Sequence, residues 1–191
     1  MYKIILTDCD GVLLDWDLAF EQWMLNQGYP KHVKDTYDTG IAYQIERSDQ
    51  RRLVKTFNES AWVGFMEPFR DAVNGVQRLA NNGYKFHCIT SMTVEPKATE
   101  LRKYNLERVF GKDIFTEYVF LNIGKDKDEA LAPYEGTEYY WLEDKPKNAE
   151  CGLQFGLKPI LIEHEHNKNY KNENIMLLKN WEEIVDRILN G

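Results

Sequence analysis

The chain has 191 residues, with 31 acidic against 24 basic side chains, a formal charge of −7, and 43% apolar residues that include five Trp, eleven Tyr and nine Phe. That is enough apolar material for the core of one domain carrying a modest insertion, which excludes a disordered tail. No long basic run is present, so an extended nucleic-acid backbone is not the expected partner, and no apolar run approaches a membrane span.

Cys9, Cys88 and Cys151 are odd in number, far apart and without Cys-x-x-Cys spacing. They describe a reduced, cytoplasmic protein without a disulfide framework. The opening MYKIILTD has too short an apolar stretch for a signal peptide.

Five short β-rich runs are read as strands, over residues 2–7, 84–89, 118–122, 139–142 and 159–162. They are nearly continuous in apolar character, as strands buried on both faces are. Helical patterns lie between them, over 70–82, 97–110, 147–155 and 181–189. In the first of these, Ala72, Val73, Val76, Leu79 and Ala80 recur at helical spacing and Gly83 ends the run. The alternation predicts an α/β fold, a doubly wound and mainly parallel five-stranded sheet. About fifty residues interrupt it after the first strand, with helix-like stretches at 17–27 and 46–57 and loop-like GYPKH and DTYDTG. The expected organisation is a core of residues 1–16 and 66–191 with a small helical cap, 17–65, inserted after the first strand.

In an open parallel sheet, ligands bind beyond the carboxyl ends of the strands. The first strand runs into Asp8-Cys9-Asp10-Gly11 and the second into Thr90-Ser91. Lys125 and Lys127 follow the third, past Gly124, and Glu143-Asp144 follows the fourth. Carboxylates, hydroxyls and an amine thus converge on one rim from four places in the sequence. Hard oxygen ligands in small number suit Mg²⁺, which Asp8, Asp144 and a backbone carbonyl can supply and which would offset the repulsion between the acids. The Thr90 hydroxyl and a lysine ammonium suit phosphate oxygens. One carboxylate can attack phosphorus and a second can move the protons.

Asp8-Cys9-Asp10-Gly11-Val12, Ile89-Thr90, a downstream lysine and Glu143-Asp144 together resemble the four motifs of the haloacid dehalogenase superfamily of phosphohydrolases. The resemblance implies Asp8 as nucleophile, Asp10 as general acid and base, and Mg²⁺ held by Asp8, the Asp10 carbonyl and Asp144. It implies that Thr90 binds the phosphoryl group and that the third-motif lysine stabilises its charge. DCDGVLLDW, FMEP, CITS, KDKDEAL and LEDKPKN are further similar in layout to the 5′(3′)-deoxyribonucleotidases. That likeness implies a nucleotide pocket lined by Trp16, a phosphate contact from Ser91, and Lys127 rather than Lys125 as the motif lysine, because Lys-x-x-x-Leu runs from Lys127 to Leu131. Glu143 stands where those enzymes commonly carry a second Asp.

The expected activity is that of a Mg²⁺-dependent phosphatase for a small phosphomonoester, a (deoxy)nucleoside monophosphate first. Sugar phosphates and polynucleotide ends are the alternative substrates, and a non-catalytic binding protein of the same fold is the alternative class. Trp16 has a competing reading as core or hinge. Glu163-His164-Glu165-His166 is read as part of an exposed polar loop, despite alternate residues that could share a face. Cys9 is expected to point into the core.

Overall fold

The structure is a computed structural model that describes residues 3–34, 36 and 38–191. Tyr2, placed in the first strand by the sequence, and Asp35 and Tyr37 of DTYDTG lie outside the described residues. In chain order the elements are β1 (Lys3–Thr7), α1 (Trp16–Asn26), α2 (Thr39–Tyr43), α3 (Arg47–Asn58), α4 (Ala72–Asn81), β2 (Tyr84–Ser91), α5 (Pro96–Phe110), β3 (Phe115–Leu121), α6 (Asp128–Leu131), β4 (Tyr140–Glu143), α7 (Pro146–Gln154), β5 (Lys158–Ile162), β6 (Met176–Leu178) and α8 (Trp181–Asn190).

The strands form one sheet in the order β3-β2-β1-β4-β5-β6, parallel throughout. The five-strand expectation needs one correction: the described residues contain a sixth strand, β6. It is only three residues long and half-buried at the sheet edge, so it leaves little periodic signal in the sequence. The chain runs β1 to β2 to β3 on one side and returns across β1 to β4 on the other, which places the switch in strand order at β1.

Successive strand residues face opposite sides of a sheet. In β1, Ile5 joins the large cluster that contains Val76 of α4, Leu106 of α5 and Ile184 of α8, while Leu6 joins a second cluster with Trp141 and Cys151 of α7. Both are fully buried. The unbroken apolar run in the sequence is therefore a strand covered by helices on both faces. Trp181 at the start of α8 lies on the α4 side so closely that a Cβ on Gly75 would fall 2.6 Å from its own Cβ. Its indole N–H donates to Val12 O (2.9 Å), tying the last helix to the turn after β1.

Between that turn and α4 the chain makes the helical excursion foreseen in the sequence. It leaves and returns side by side: the Asp15 N–H donates to Glu67 O (2.9 Å) and the Phe69 N–H to Leu13 O (2.8 Å). Asp15 caps α1 by accepting from the Leu18 N–H. Phe20 of α1 meets Phe57 of α3 and Tyr43 of α2 edge-on, at 5.3 and 5.7 Å between ring centres. These aromatic contacts hold the three helices together. Among the described residues, no helix is long and apolar enough to cross a membrane.

Candidate active site

Asp8 follows the last residue of β1, and its N–H donates to Leu142 O of β4 (2.8 Å). The sheet thus delivers the carboxylate to the carboxyl end of its two central strands. Asp8 is buried, and its Oδ1 accepts from the Cys9 N–H (2.8 Å) and from Lys127 Nζ (2.9 Å). Lys127 is itself buried, with further contacts to Glu143 Oε1 (2.8 Å) and Ile89 O (2.9 Å). Lys125 instead forms an exposed pair with Glu129. The geometry therefore brings Lys127, and not Lys125, beside Asp8.

Burial raises the Asp8 carboxyl to about 6, with Lys127 opposing and Glu143 adding to the rise. For Lys127, burial works against the charge but the Asp8 and Glu143 carboxylates outweigh it, and the ammonium is held above its ordinary range.

Asp144 closes the set. The acidic oxygens of Asp8, Glu143 and Asp144 lie within 4.8 Å of one another. Glu143 is fully engaged: Oε1 takes Lys127 and Asn148 Nδ2 (2.7 Å), and Oε2 accepts from the Asp144 and Lys145 N–H groups, both at 2.9 Å. Asp144 Oδ1 has no hydrogen-bond partner among the described residues, and burial followed by the Glu143 charge pushes its carboxyl well above the usual range. An orphaned carboxylate oxygen beside a second carboxylate fits a hard divalent cation such as Mg²⁺. Asp8 and Asp144 are the side chains free to hold it, with Glu143 committed to bracing Lys127 and the turn.

A cavity of about 540 Å³ opens over these groups, between the sheet rim and the helical excursion. Asp8, Asp10, Thr90, Ser91, Lys127 and Asp144 all line it. The second strand extends two residues beyond the sequence expectation, so Thr90 and Ser91 close β2 rather than follow it. Thr90 is buried and its Oγ1 has no partner among the described residues, a second orphan at the same cavity. Ser91 Oγ donates to Lys125 O (3.0 Å) and steadies the loop after β3. Asp10, 25% exposed on its side chain, pairs with Arg102. Trp16 lines the cavity too, stacked on Phe20 (4.5 Å between centres) with its indole N–H on Asn58 Oδ1 (2.9 Å). It is thus wall and packing at once.

The turn leaving β1 needs glycine. Gly11 has φ +75°, and a Cβ there would stand 3.0 Å from Asp144 Oδ2. Cys9 is fully buried in the main core cluster, as expected.

The segment read as an exposed polar loop is exposed at Glu165, Lys168, Asn169, Lys171 and Glu173, and the reading needs correction at His164 and Asn167. His164 Nε2 lies 2.7 Å from Gly11 O, and its ring stacks on Phe69 (4.7 Å, 14°) at the cavity wall. Burial lowers its pKa to about 4. His166 Nε2 lies 3.0 Å from Asp144 O. Asn167 is buried, with Nδ2 donating to Asp144 O (2.7 Å) and Ile162 O (2.9 Å) and Oδ1 accepting from the His164 N–H (2.8 Å). His164, His166 and Asn167 thus satisfy backbone carbonyls around the acidic rim. The alternation of the two histidines was the one signal available for it. Arg102 carried no sequence signal at all.

No family model matches the chain. An uncharacterised 32.4 kDa protein of Enterobacteria phage T4 is 24% identical over 136 residues, which cover 68% of this chain and 48% of that protein, so the match spans about half of the curated relative. A haloacid dehalogenase-like hydrolase from Streptococcus pneumoniae superposes with a TM-score of 0.68 at 13% identity, covering 98% of both chains. CbbY from Rhodobacter sphaeroides, solved with phosphate, gives 0.62 at 14% identity over 96% of each chain. YfnB from Bacillus subtilis, described as a HAD hydrolase and solved with magnesium, gives 0.62 at 12% identity over 100% of this chain and 99% of its own. The fold of this chain is that of the haloacid dehalogenase-like hydrolases.

Proposed function

We propose that this protein is a Mg²⁺-dependent phosphatase that hydrolyses a small phosphomonoester, with a (deoxy)nucleoside monophosphate as the expected substrate, through an aspartyl-phosphate on Asp8. The observation that carries this reading is the pair of orphaned buried oxygens, Thr90 Oγ1 and Asp144 Oδ1, at one cavity beside an Asp8 carboxylate braced by Lys127. Buried polar groups without partners are rare and call for an explanation, and two of them lining one cavity are accounted for together by a ligand there. One such group here is a hydroxyl suited to phosphate and the other a carboxylate suited to a cation. The phosphate and magnesium reported with CbbY and YfnB, proteins of the same fold, support the assignment.

Mg²⁺ held by Asp8, Asp144 and the Asp10 carbonyl would neutralise charge between the carboxylates and the phosphate. The chain's own groups do the rest. Asp8 attacks phosphorus as the bond to the leaving oxygen breaks, and Asp10 supplies the proton that this oxygen takes. Asp10 then accepts a proton from the water that cleaves the aspartyl-phosphate. Thr90, with Ser91 beside it, binds the phosphoryl oxygens, and the Lys127 charge held next to Asp8 offsets theirs, since phosphoryl transfer depends mostly on positioning and charge. We assign the helical excursion, residues 17–65, the part of a cap over the substrate. A cavity of this size accommodates a nucleotide, and Trp16, Phe69 and His164 give it aromatic walls.

The test is a panel of nucleoside monophosphates, sugar phosphates and aryl phosphate with Mg²⁺, using wild type and Asp8→Asn. Wild type should turn over nucleotides fastest, and Asp8→Asn should lose turnover while remaining folded, as circular dichroism would show. Normal hydrolysis by Asp8→Asn would sink the mechanism, and equal rates across the panel would sink the nucleotide assignment.

A further inference from the structure

Arg102 sits on α5 and its side chain is 0% exposed. Burying a guanidinium is costly unless it is well paired, so a sequence shaped by stability alone would place an apolar residue here. Its surroundings offer little return. Nη1 meets Cys9 Sγ at 3.1 Å and Nη2 meets Met66 Sδ at 3.6 Å, and sulfur is a weak acceptor. Nε has no partner among the described residues. The one charged partner that the ion pairs among the described residues give it is Asp10, through Oδ1.

Asp10 lies in the turn after β1, its backbone bridged to Leu14, and among the described residues Arg102 is the hydrogen-bond partner of its carboxylate. It also borders the cavity. One turn along α5, Asn105 Nδ2 donates to Met66 O (3.1 Å), and Gly64 packs against Leu101 so closely that a Cβ there would meet Leu101 Cδ2 at 3.0 Å. The helix that carries Arg102 is therefore fastened to the chain returning from the helical excursion. The guanidinium reaches Asp10 from a rigid base.

We propose that Arg102 is a positioning residue for the acid–base step: by holding Asp10 Oδ1 it fixes the rotamer of the carboxylate, so that Oδ2 is the oxygen turned to the leaving group and then to the attacking water. This rests on the phosphatase reading above. In the first step the Asp8–phosphorus bond forms, the bond to the leaving oxygen breaks, and the proton on Asp10 passes to that oxygen. In the second, the water oxygen bonds to phosphorus, the Asp8–phosphorus bond breaks, and the water's proton returns to Asp10. Arg102 exchanges no proton in either step.

Leaving-group dependence separates this role from general structural support. p-Nitrophenolate departs without a proton and an alkoxide does not. Arg102→Met, Arg102→Lys and Asp10→Asn are compared with wild type on p-nitrophenyl phosphate and on thymidine 5′-monophosphate and glycerol 2-phosphate, with Mg²⁺. For Arg102→Met, kcat on the alkyl phosphates should fall about 100-fold and the alkyl-to-aryl ratio at least about tenfold, the scale of general acid–base catalysis, with KM little changed. Arg102→Lys should recover about tenfold of the loss by restoring a charged donor. Equal losses on alkyl and aryl substrates, or a Lys variant no better than Met, would overturn the proposal. If Arg102→Met does not fold, the Lys variant carries the same ratio test by itself. A wild-type ratio in Asp10→Asn would overturn the acid–base reading instead. A shifted ratio in Asp10→Asn but not in the Arg102 variants would place the failure on Arg102 alone.

Discussion

Lys127 Nζ stands 2.8 Å from Glu143 Oε1 in an ion pair whose side chains are 1% and 0% exposed. Burial by itself would raise Glu143, yet Lys127 and the hydrogen bonds around the carboxylate outweigh it and hold Glu143 below its ordinary value. Both partners are saturated: Glu143 accepts four hydrogen bonds, and Lys127 is shared with Asp8 and Ile89 O. A longer residue than Asp at position 143 fits this geometry, because its two oxygens reach the ammonium on one side and the Asp144 and Lys145 N–H groups on the other.

Lys127→Met should therefore damage both folding and function. It leaves Asp8 and Glu143 buried without their counter-ion, and breaking one side of a buried pair costs about 3–5 kcal/mol. Chemical denaturation should show a loss of that order, and turnover at saturating substrate should fall with it. Glu143→Gln keeps the acceptor oxygen for the backbone and should cost less. A Lys127→Met variant as stable as wild type would contradict the buried network.

Gly11→Ala should remove activity with a smaller loss of stability. A left-handed backbone costs a residue with a side chain about 1–2 kcal/mol, and here the added methyl also presses on Asp144 Oδ2. Phosphatase rates and thermal melts on the same preparation test this. A variant with wild-type turnover would show that the Asp144 carboxylate is free to move.

Sequence reached much of the site because the groups concerned lie at strand ends, where near-continuous apolar runs stop at polar residues. Asp8, Thr90 and Asp144 are all read from that transition. Lys127 was separated from Lys125 only by the Lys-x-x-x-Leu spacing, and both Lys127 and Leu131 are buried. His164 and Asn167 were missed because their neighbours Glu165, Lys168 and Asn169 are exposed, and local composition averages over the two inward residues. Arg102 was missed because arginine on an amphipathic helix ordinarily faces water. Only the tertiary approach of α5 to Asp10 reveals otherwise. The sixth strand is too short to show a period.

His164 makes stability depend on pH. Its folded pKa of about 4 lies below its ordinary 6.5. Between these values the unfolded chain binds the proton and the folded one does not, so stability is full above 6.5 and declines as pH falls toward about 4. The decline approaches about 1.4 kcal/mol per pH unit. Asp8, raised from 3.8 to about 6, acts with the opposite sign over part of the range, so the readout is the difference between wild type and His164→Gln. Denaturation at pH 4, 5, 6 and 7 should show the wild-type advantage shrinking with acid. A pH-independent difference would mean that His164 titrates normally.

Metal binding should stabilise the fold in a way that depends on Asp144. Without a cation, burial and the Glu143 charge penalise the ionised Asp144 carboxyl. The penalty sets in as pH rises above 3.8, the ordinary value. Asp8 adds its own between 3.8 and about 6. At neutral pH both carboxylates are thus held at a cost that a divalent cation would offset. Mg²⁺ at a hundredfold excess over its dissociation constant should add about 2.7 kcal/mol by mass action, visible as a higher melting temperature and reversed by EDTA. Asp144→Asn removes the buried acid, so it should melt higher than metal-free wild type and show no response to Mg²⁺. An Asp144→Asn protein that still gained stability from Mg²⁺ would move the cation to other ligands.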